Sequence, residues 1–103
     1  MAGHRLAEMH LLVVFNPAAR AGRAPDRVQA LTAAFAEYGV AVTVLETRHP
    51  GHATQLLCDF DPDSMDGVVA AGGDGTLHEV VNGLCALPAD RRPPLGVVPV
   101  GWQ

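Results

Sequence analysis

Lysine is absent from the chain: all seven of its basic side chains are arginine. A lysine that reaches phosphates from a G-x-x-x-x-G-K-[ST] loop, a Schiff-base lysine and a pyridoxal-holding lysine are therefore excluded. Cysteine is nearly as scarce. Cys58 and Cys85 lie far apart, without C-x-x-C spacing and without a secretory signal ahead of them, which predicts two buried, reduced thiols in a cytoplasmic protein. Long apolar runs are missing too. Leu11 to Phe15 is the longest, and it and Val97 to Val100 fall far short of the ~20 residues a membrane helix needs, so any membrane contact is expected to be peripheral. Basic charge does not accumulate either. A net charge of −4 with scattered arginines excludes a nucleic-acid surface built on phosphate neutralisation.

What is present suffices for one core. At 49% hydrophobic and 17% charged, the 103 residues are too apolar for a disordered chain and too few for two lobes. Leu11 to Phe15 is a continuous apolar run of the kind that forms a strand buried on both faces. Asn16-Pro17 ends it, and Ala18 to Ala24 reads as a loop. A helix is predicted from Pro25, with Asp26 in its first turn, a stripe of Val28, Leu31, Phe35 and Tyr38, and Gly39 as its stop. The unit recurs: Val40 to Leu45 as strand, Glu46 to Gly51 as polar loop, and a short helix carrying Ala53, Leu56 and Leu57. It recurs again after the acidic segment from Asp59 to Asp66, with Val68 to Ala71 as the third strand and a third helix whose stripe is Leu77, Val80, Val81, Leu84 and Leu87. Pro88 stops that helix, and Leu95 to Val100 is a fourth strand whose Pro99 suits the periphery of a sheet.

Strands alternating with helices imply parallel pairing through right-handed crossovers. The expected fold is a three-layer α/β/α, Rossmann-like domain with a mostly parallel sheet of about four strands. In such a sheet the loops that follow the strands gather along one edge, where ligands bind. Here that edge would collect Asn16 to Ala24, Thr47 to Gly51, Gly72 to Thr76 and the last residues.

Gly72-Gly73-Asp74-Gly75-Thr76 stands between a buried strand and an amphipathic helix. Its glycines remove bulk and permit positive φ, so that backbone amides can approach a polyphosphate, and the helix aims its positive end at the same point. Asp74 would be repelled by phosphates unless a divalent cation or a proton accompanies it, which gives it either a role near Mg²⁺ or the attacking hydroxyl, or a plain helix-capping role. Thr76 and Glu79 have the spacing of a capping box. His78 is expected on the solvent face.

The longer run Ala71-Gly72-Gly73-Asp74-Gly75-Thr76-Leu77-His78-Glu79-Val80-Val81-Asn82-Gly83 resembles the signature of the diacylglycerol kinase catalytic domain, the family of bacterial lipid kinases and of diacylglycerol, sphingosine and ceramide kinases. Phe15-Asn16-Pro17, Thr47 with Gly51-His52-Ala53, and Gly96 to Gly101 resemble that family's other segments in the same order. The resemblance implies a lobe, here residues 11–101 behind an N-terminal extension of 1–10, that binds ATP with Mg²⁺ and faces a second, lipid-holding lobe. It further implies that Asn16 contacts the nucleotide, Thr47 a phosphate, Gly72, Gly73, Asp74, Gly75, Thr76, Leu77 and His78 the phosphate chain, and Glu79 the nucleotide side. Asp74 matches the catalytic acid of sphingosine kinases, whereas bacterial members place the base in the second lobe, so both roles stand. No protein-held metal cluster is implied.

The sequence departs from that pattern in two places. Arg20 occupies a usual glycine of the N-P-x-[SA]-G-x-G loop, and Trp102-Gln103 follows Gly101 where Thr-Gly-Asn-Asp is expected. The chain is accordingly expected to be a nucleotide-binding fragment without kinase activity of its own. Its partners would be ATP and, through the missing lobe, a lipid, with a homodimer left open. An NAD-kinase-like lobe and a noncatalytic nucleotide-binding or interaction module are the alternatives. Asp59, Asp61, Asp63 and Asp66 are expected to form a solvated loop, because Ser64 and Ala70 occupy the glycine and glutamate positions of a calcium loop.

Overall fold

A computed structural model describes residues 9–17 and 24–99. Four strands and three helices alternate along it: β1 (Met9–Phe15), α1 (Ala24–Glu37), β2 (Val40–Glu46), α2 (His52–Asp59), β3 (Gly67–Gly72), α3 (Asp74–Cys85) and β4 (Leu95–Pro99). Short 3₁₀ turns stand at Pro62–Ser64 and Ala89–Arg91. The sheet order is β2-β1-β3-β4 and every pairing is parallel. From β1 the chain moves outward to β2 and then returns past β1 to β3, so the order reverses between the two central strands. A crevice opens at the carboxyl ends of strands at such a reversal.

Leu11 to Phe15 of β1 and the whole of β3 are apolar because both faces of the sheet are covered there. Leu12, Val14, Val68 and Ala70 form one core with Ala53 and Leu57 of α2 and Val80 and Leu84 of α3. Val13, Phe15, Val69 and Ala71 form the other with Val28 of α1. The three-layer α/β arrangement expected from the alternation is therefore the one found. Burying a Leu or Val side chain fully contributes about 1.5–3 kcal/mol, so these two clusters carry most of the gain from folding.

Several finer expectations are corrected. Of the α1 stripe only Val28 is buried, and Tyr38 is 83% exposed. The helix stops at Glu37, and Tyr38 lies in the turn ahead of Gly39, whose φ is 77°, so the helical spacing no longer directs its side chain. Val81 is likewise exposed, because α3 packs through the narrower stripe of Val80 and Leu84, flanked by Leu77 and Leu87. Cys58 and Cys85 are free thiols but exposed, each one residue past the buried Leu57 or Leu84 and hence turned away from the core.

The acidic segment is not merely solvated. Asp61 accepts from the Asp63 N–H at 3.0 Å, Asp63 pairs with Arg91 at 2.8 Å, and Asp66 accepts from the His10 N–H at 2.8 Å. The Asp66 N–H donates in turn to the His10 carbonyl at 2.7 Å, which fastens β3 to β1 at the end of the sheet remote from the crevice. Among the described residues no helix is long and apolar enough to cross a membrane.

Candidate functional site

Three chain segments meet at the carboxyl ends of β1, β2 and β3. Beyond the last β1–β2 register pair, Phe15 with Glu46, the Thr47 N–H still donates to the Phe15 carbonyl at 2.9 Å. That bond holds Thr47, itself buried, beside the Asn16-Pro17 turn. Residues 18–23 of the expected loop, Arg20 among them, lie outside the described residues.

The third segment is the β3–α3 turn. Gly72 is buried at the end of its strand, and Gly73 is the N-cap of α3 in an extended conformation, φ −94° and ψ −164°, with no side chain capping the helix. The Leu77 N–H donates to the Gly73 carbonyl at 3.1 Å, closing the first turn. The amides of Asp74, Gly75 and Thr76 therefore precede the helical ladder and point outward from a positive helix end. Left-handed glycines among the described residues are Gly39 and Gly51 only. Within this turn the fold itself requires a glycine at Gly72, where a Cβ would meet Thr76, whereas a Cβ at Gly73 or Gly75 would meet nothing within 4 Å.

Neither capping expectation for the α3 start is realised. Asp74 is the first helical residue, not the cap, and it is exposed. Thr76 sits inside the helix and is buried. Glu79 reaches across to α2: its Oε2 accepts from the Gly51 N–H at 2.9 Å and its Oε1 from the Ala53 N–H at 3.2 Å. The Thr54 hydroxyl donates to the Glu79 carbonyl at 2.8 Å. Gly51, at φ 84°, is the N-cap of α2 and offers no side chain of its own, so a carboxylate from the neighbouring helix occupies the capping position.

Asn16, Thr47, Gly75, Thr76 and Glu79 line a single cleft of about 530 Å³, together with Pro17, Glu46, Arg48, His49 and Pro50. Gly72, Gly73, Asp74, Leu77 and His78 are not among its lining residues. Leu77 turns its side chain to the helix-side core, and His78 is exposed on α3. Arg48, His49 and Pro50 belong to the Thr47 to Gly51 segment expected on this edge, whereas Glu46, the last residue of β2, carries no motif and is brought here by its strand. His49 and His52 stack at 4.5 Å with their planes 17° apart. His52 Nδ1 accepts from the Arg48 N–H at 2.9 Å, and the Nδ1–H of His49 donates to the Pro50 carbonyl at 2.9 Å. The H-P-G-H spacing was the available signal for this arrangement.

The cleft lies within the ~300–1,000 Å³ range of small-molecule sites. Among the described residues no group of three or more His, Cys, Asp or Glu side chains could hold a metal ion. A lone carboxylate, Asp74, at the head of α3 suits a Mg²⁺ carried in on phosphate oxygens, which keeps most of its water and takes one or two protein carboxylates.

A parallel sheet with an uncapped helix facing a cleft at its order reversal defines an α/β lobe with a candidate ligand cleft. The family model of the diacylglycerol kinase catalytic domain matches residues 10–102, and the chain belongs to that family. A diacylglycerol kinase of Bacillus subtilis is 36% identical over 89 residues, which are 86% of this chain and 29% of that protein. A Yersinia enterocolitica protein named probable lipid kinase YegS-like is 38% identical over 63 residues, 61% of this chain and 21% of that protein. A crystal structure of a diacylglycerol kinase from Bacillus anthracis superposes with a TM-score of 0.68 at 32% identity, over 87% of this chain and 32% of that one. The chain thus spans about a third or less of the length of these relatives.

Proposed function

We propose that this chain is the nucleotide-binding lobe of a lipid kinase, holding Mg-ATP in the cleft between the Thr47–Pro50 segment and the head of α3. The observation that carries this reading is the unladdered amides of Asp74, Gly75 and Thr76, set on one edge of the sheet with Thr47 and Asn16. Backbone donors and a helix end stabilise a polyphosphate without a lysine, and positioning with charge neutralisation is most of what phosphoryl transfer requires. Gly72 and Gly73 shape the turn that aims these amides, Asn16 and Glu79 lie on the nucleotide side, and Asp74 faces the cation, whereas Leu77, whose N–H is taken by the Gly73 carbonyl, and His78 lie outside the cleft and are left out of the phosphate seat. The acceptor is a lipid hydroxyl, of the diacylglycerol or sphingoid kind, held by the part of such kinases that these 103 residues do not cover. The chain alone is therefore expected to bind nucleotide without phosphorylating lipid, at a cytoplasmic site with at most peripheral membrane contact by a full-length kinase. Calorimetric titration with ATP in the presence of Mg²⁺ tests this: saturable binding at one site is expected, and the absence of both heat and thermal stabilisation would overturn it.

A further inference from the structure

Glu79 is bonded in a way that a simple ligand contact does not require. Both of its carboxylate oxygens already accept backbone amides, from Gly51 and Ala53, and its own carbonyl accepts the Thr54 hydroxyl. These are links from the second turn of α3 to the start of α2. They close a loop in the chain, for the Thr47–Gly51 segment leaves β2 at the Phe15 bond and its far end, Gly51, is fastened to α3 by Glu79. Between those points His52, the first residue of α2, holds the Arg48 amide through Nδ1. The cleft wall formed by Thr47 to Pro50 therefore has no α-helical or strand ladder of its own: the His52 N–H closes a turn on the His49 carbonyl at 3.1 Å, and the tie from this turn to α3 is the Glu79 side chain.

We infer that Glu79 is a positioning residue: it fixes the Thr47–Gly51 segment relative to the head of α3 and so sets the width of the phosphate side of the cleft, instead of binding the nucleoside. The inference rests on the nucleotide-binding reading for its consequence, but the fastening itself is independent of any ligand. A carboxylate bonded to two amides is a strong, charge-assisted tie. Its removal also leaves the α2 start without a cap, because Gly51 cannot supply one.

The two roles separate experimentally. Amide hydrogen exchange is followed in the unmodified chain, in Glu79→Ala and in Glu79→Gln, and each protein is titrated with Mg-ATP and with magnesium tripolyphosphate, which has the phosphates and no nucleoside. In Glu79→Ala the Gly51 and Ala53 amides should exchange about tenfold faster or more, as expected for loss of a hydrogen bond to a charged acceptor, while Val69 and Ala70 in β3 keep their protection. Affinities for both ligands should fall by the same factor. Glu79→Gln keeps the shape and one acceptor oxygen and should lose part of each effect, so it carries the test if the alanine variant does not fold. Unchanged exchange at Gly51 and Ala53, or weaker ATP binding with tripolyphosphate binding intact, would overturn the inference. If the unmodified chain binds neither ligand, the nucleotide reading fails by itself, and the exchange data alone still decide whether Glu79 holds the segment.

Discussion

Gly72 and Thr76 pack so closely that a Cβ on Gly72 would stand 2.7 Å from Thr76 Oγ1 and 2.9 Å from Thr76 Cβ. Thr76 is buried on the first turn of α3, so its side chain has little room to retreat. The turn from β3 into α3 is tight because residue 72 has no side chain, and the amides that follow are aimed by that tightness.

Two glycine substitutions in this turn should therefore behave differently. Gly72→Ala overpacks a buried contact and should lower stability by about 1–3 kcal/mol, read as a fall in the urea midpoint. Gly73→Ala meets open space and an ordinary extended φ, so its effect on stability should stay below about 1 kcal/mol. Its methyl group would nevertheless occupy ground that a bound phosphate must approach. Mg-ATP affinity should then fall in Gly73→Ala with the fold intact, and a variant that binds as tightly as the parent would contradict the phosphate seat.

Gly83 presents the same logic away from the cleft. A Cβ there would lie 2.8 Å from Leu57 Cβ and 3.3 Å from the Thr54 carbonyl oxygen, at the close approach of α3 to α2. Alanine in a helix interior gains about 1 kcal/mol over glycine, yet pressing on a buried neighbour and on backbone costs about 1–3 kcal/mol. The net should be destabilising, and a Gly83→Ala protein with a raised melting temperature would show that the helices can part at no cost.

Much of this was legible in the sequence, and unevenly so. The apolar runs of β1 and β3 and the strand-helix alternation were enough for the layered parallel fold, because burial on both faces leaves no room for polar residues. The tight turn from β3 into α3 was legible in Gly72 to Thr76, because its glycines leave room for a close approach of strand and helix. What the chain order concealed was partnership between elements. Glu79 reads as the end of a capping box with Thr76, but its carboxylate caps α2, since local spacing carries no information about a neighbouring helix. Gly83, quoted as part of a signature, packs against Leu57 and touches no ligand cleft. Val81 and Tyr38 fit helical stripes by spacing alone, yet the helix ends and neighbours leave both exposed.

Asp74 offers a test by sign of charge. Exposed at the first position of α3, it interacts favourably with the helix N-terminus by about 0.3–1 kcal/mol, so Asp74→Asn should lower the melting temperature by a few degrees and leave the fold intact. A carboxylate beside a triphosphate repels it unless a cation stands between them. Asp74→Asn should accordingly weaken ATP binding with Mg²⁺ present and leave it unchanged or tighter in EDTA. Equal weakening under both conditions would remove the cation from the role given to Asp74.

Adjacent arginines after α3 should differ sharply when truncated. Arg91 pairs with Asp63 at 2.8 Å, but the two side chains are 46% and 74% exposed, and such surface pairs contribute about 0–1 kcal/mol. Arg92 instead donates from Nε to the Leu84 and Leu87 carbonyls at 3.1 and 3.0 Å and from Nη2 to the Cys85 carbonyl at 3.1 Å. The Leu84 carbonyl also accepts the Leu87 N–H at 3.0 Å, so Arg92 adds to the closure of the last turn, and a cation there meets the negative end of the helix. Arg92→Ala should cost about 1–2 kcal/mol, with Arg91→Ala costing well under half as much. Arg92→Lys should recover little, because an ammonium group cannot reproduce donation from two points of a planar guanidinium. Denaturant unfolding of the three variants in parallel decides the matter, and full recovery by lysine would reduce the Arg92 contribution to its charge alone.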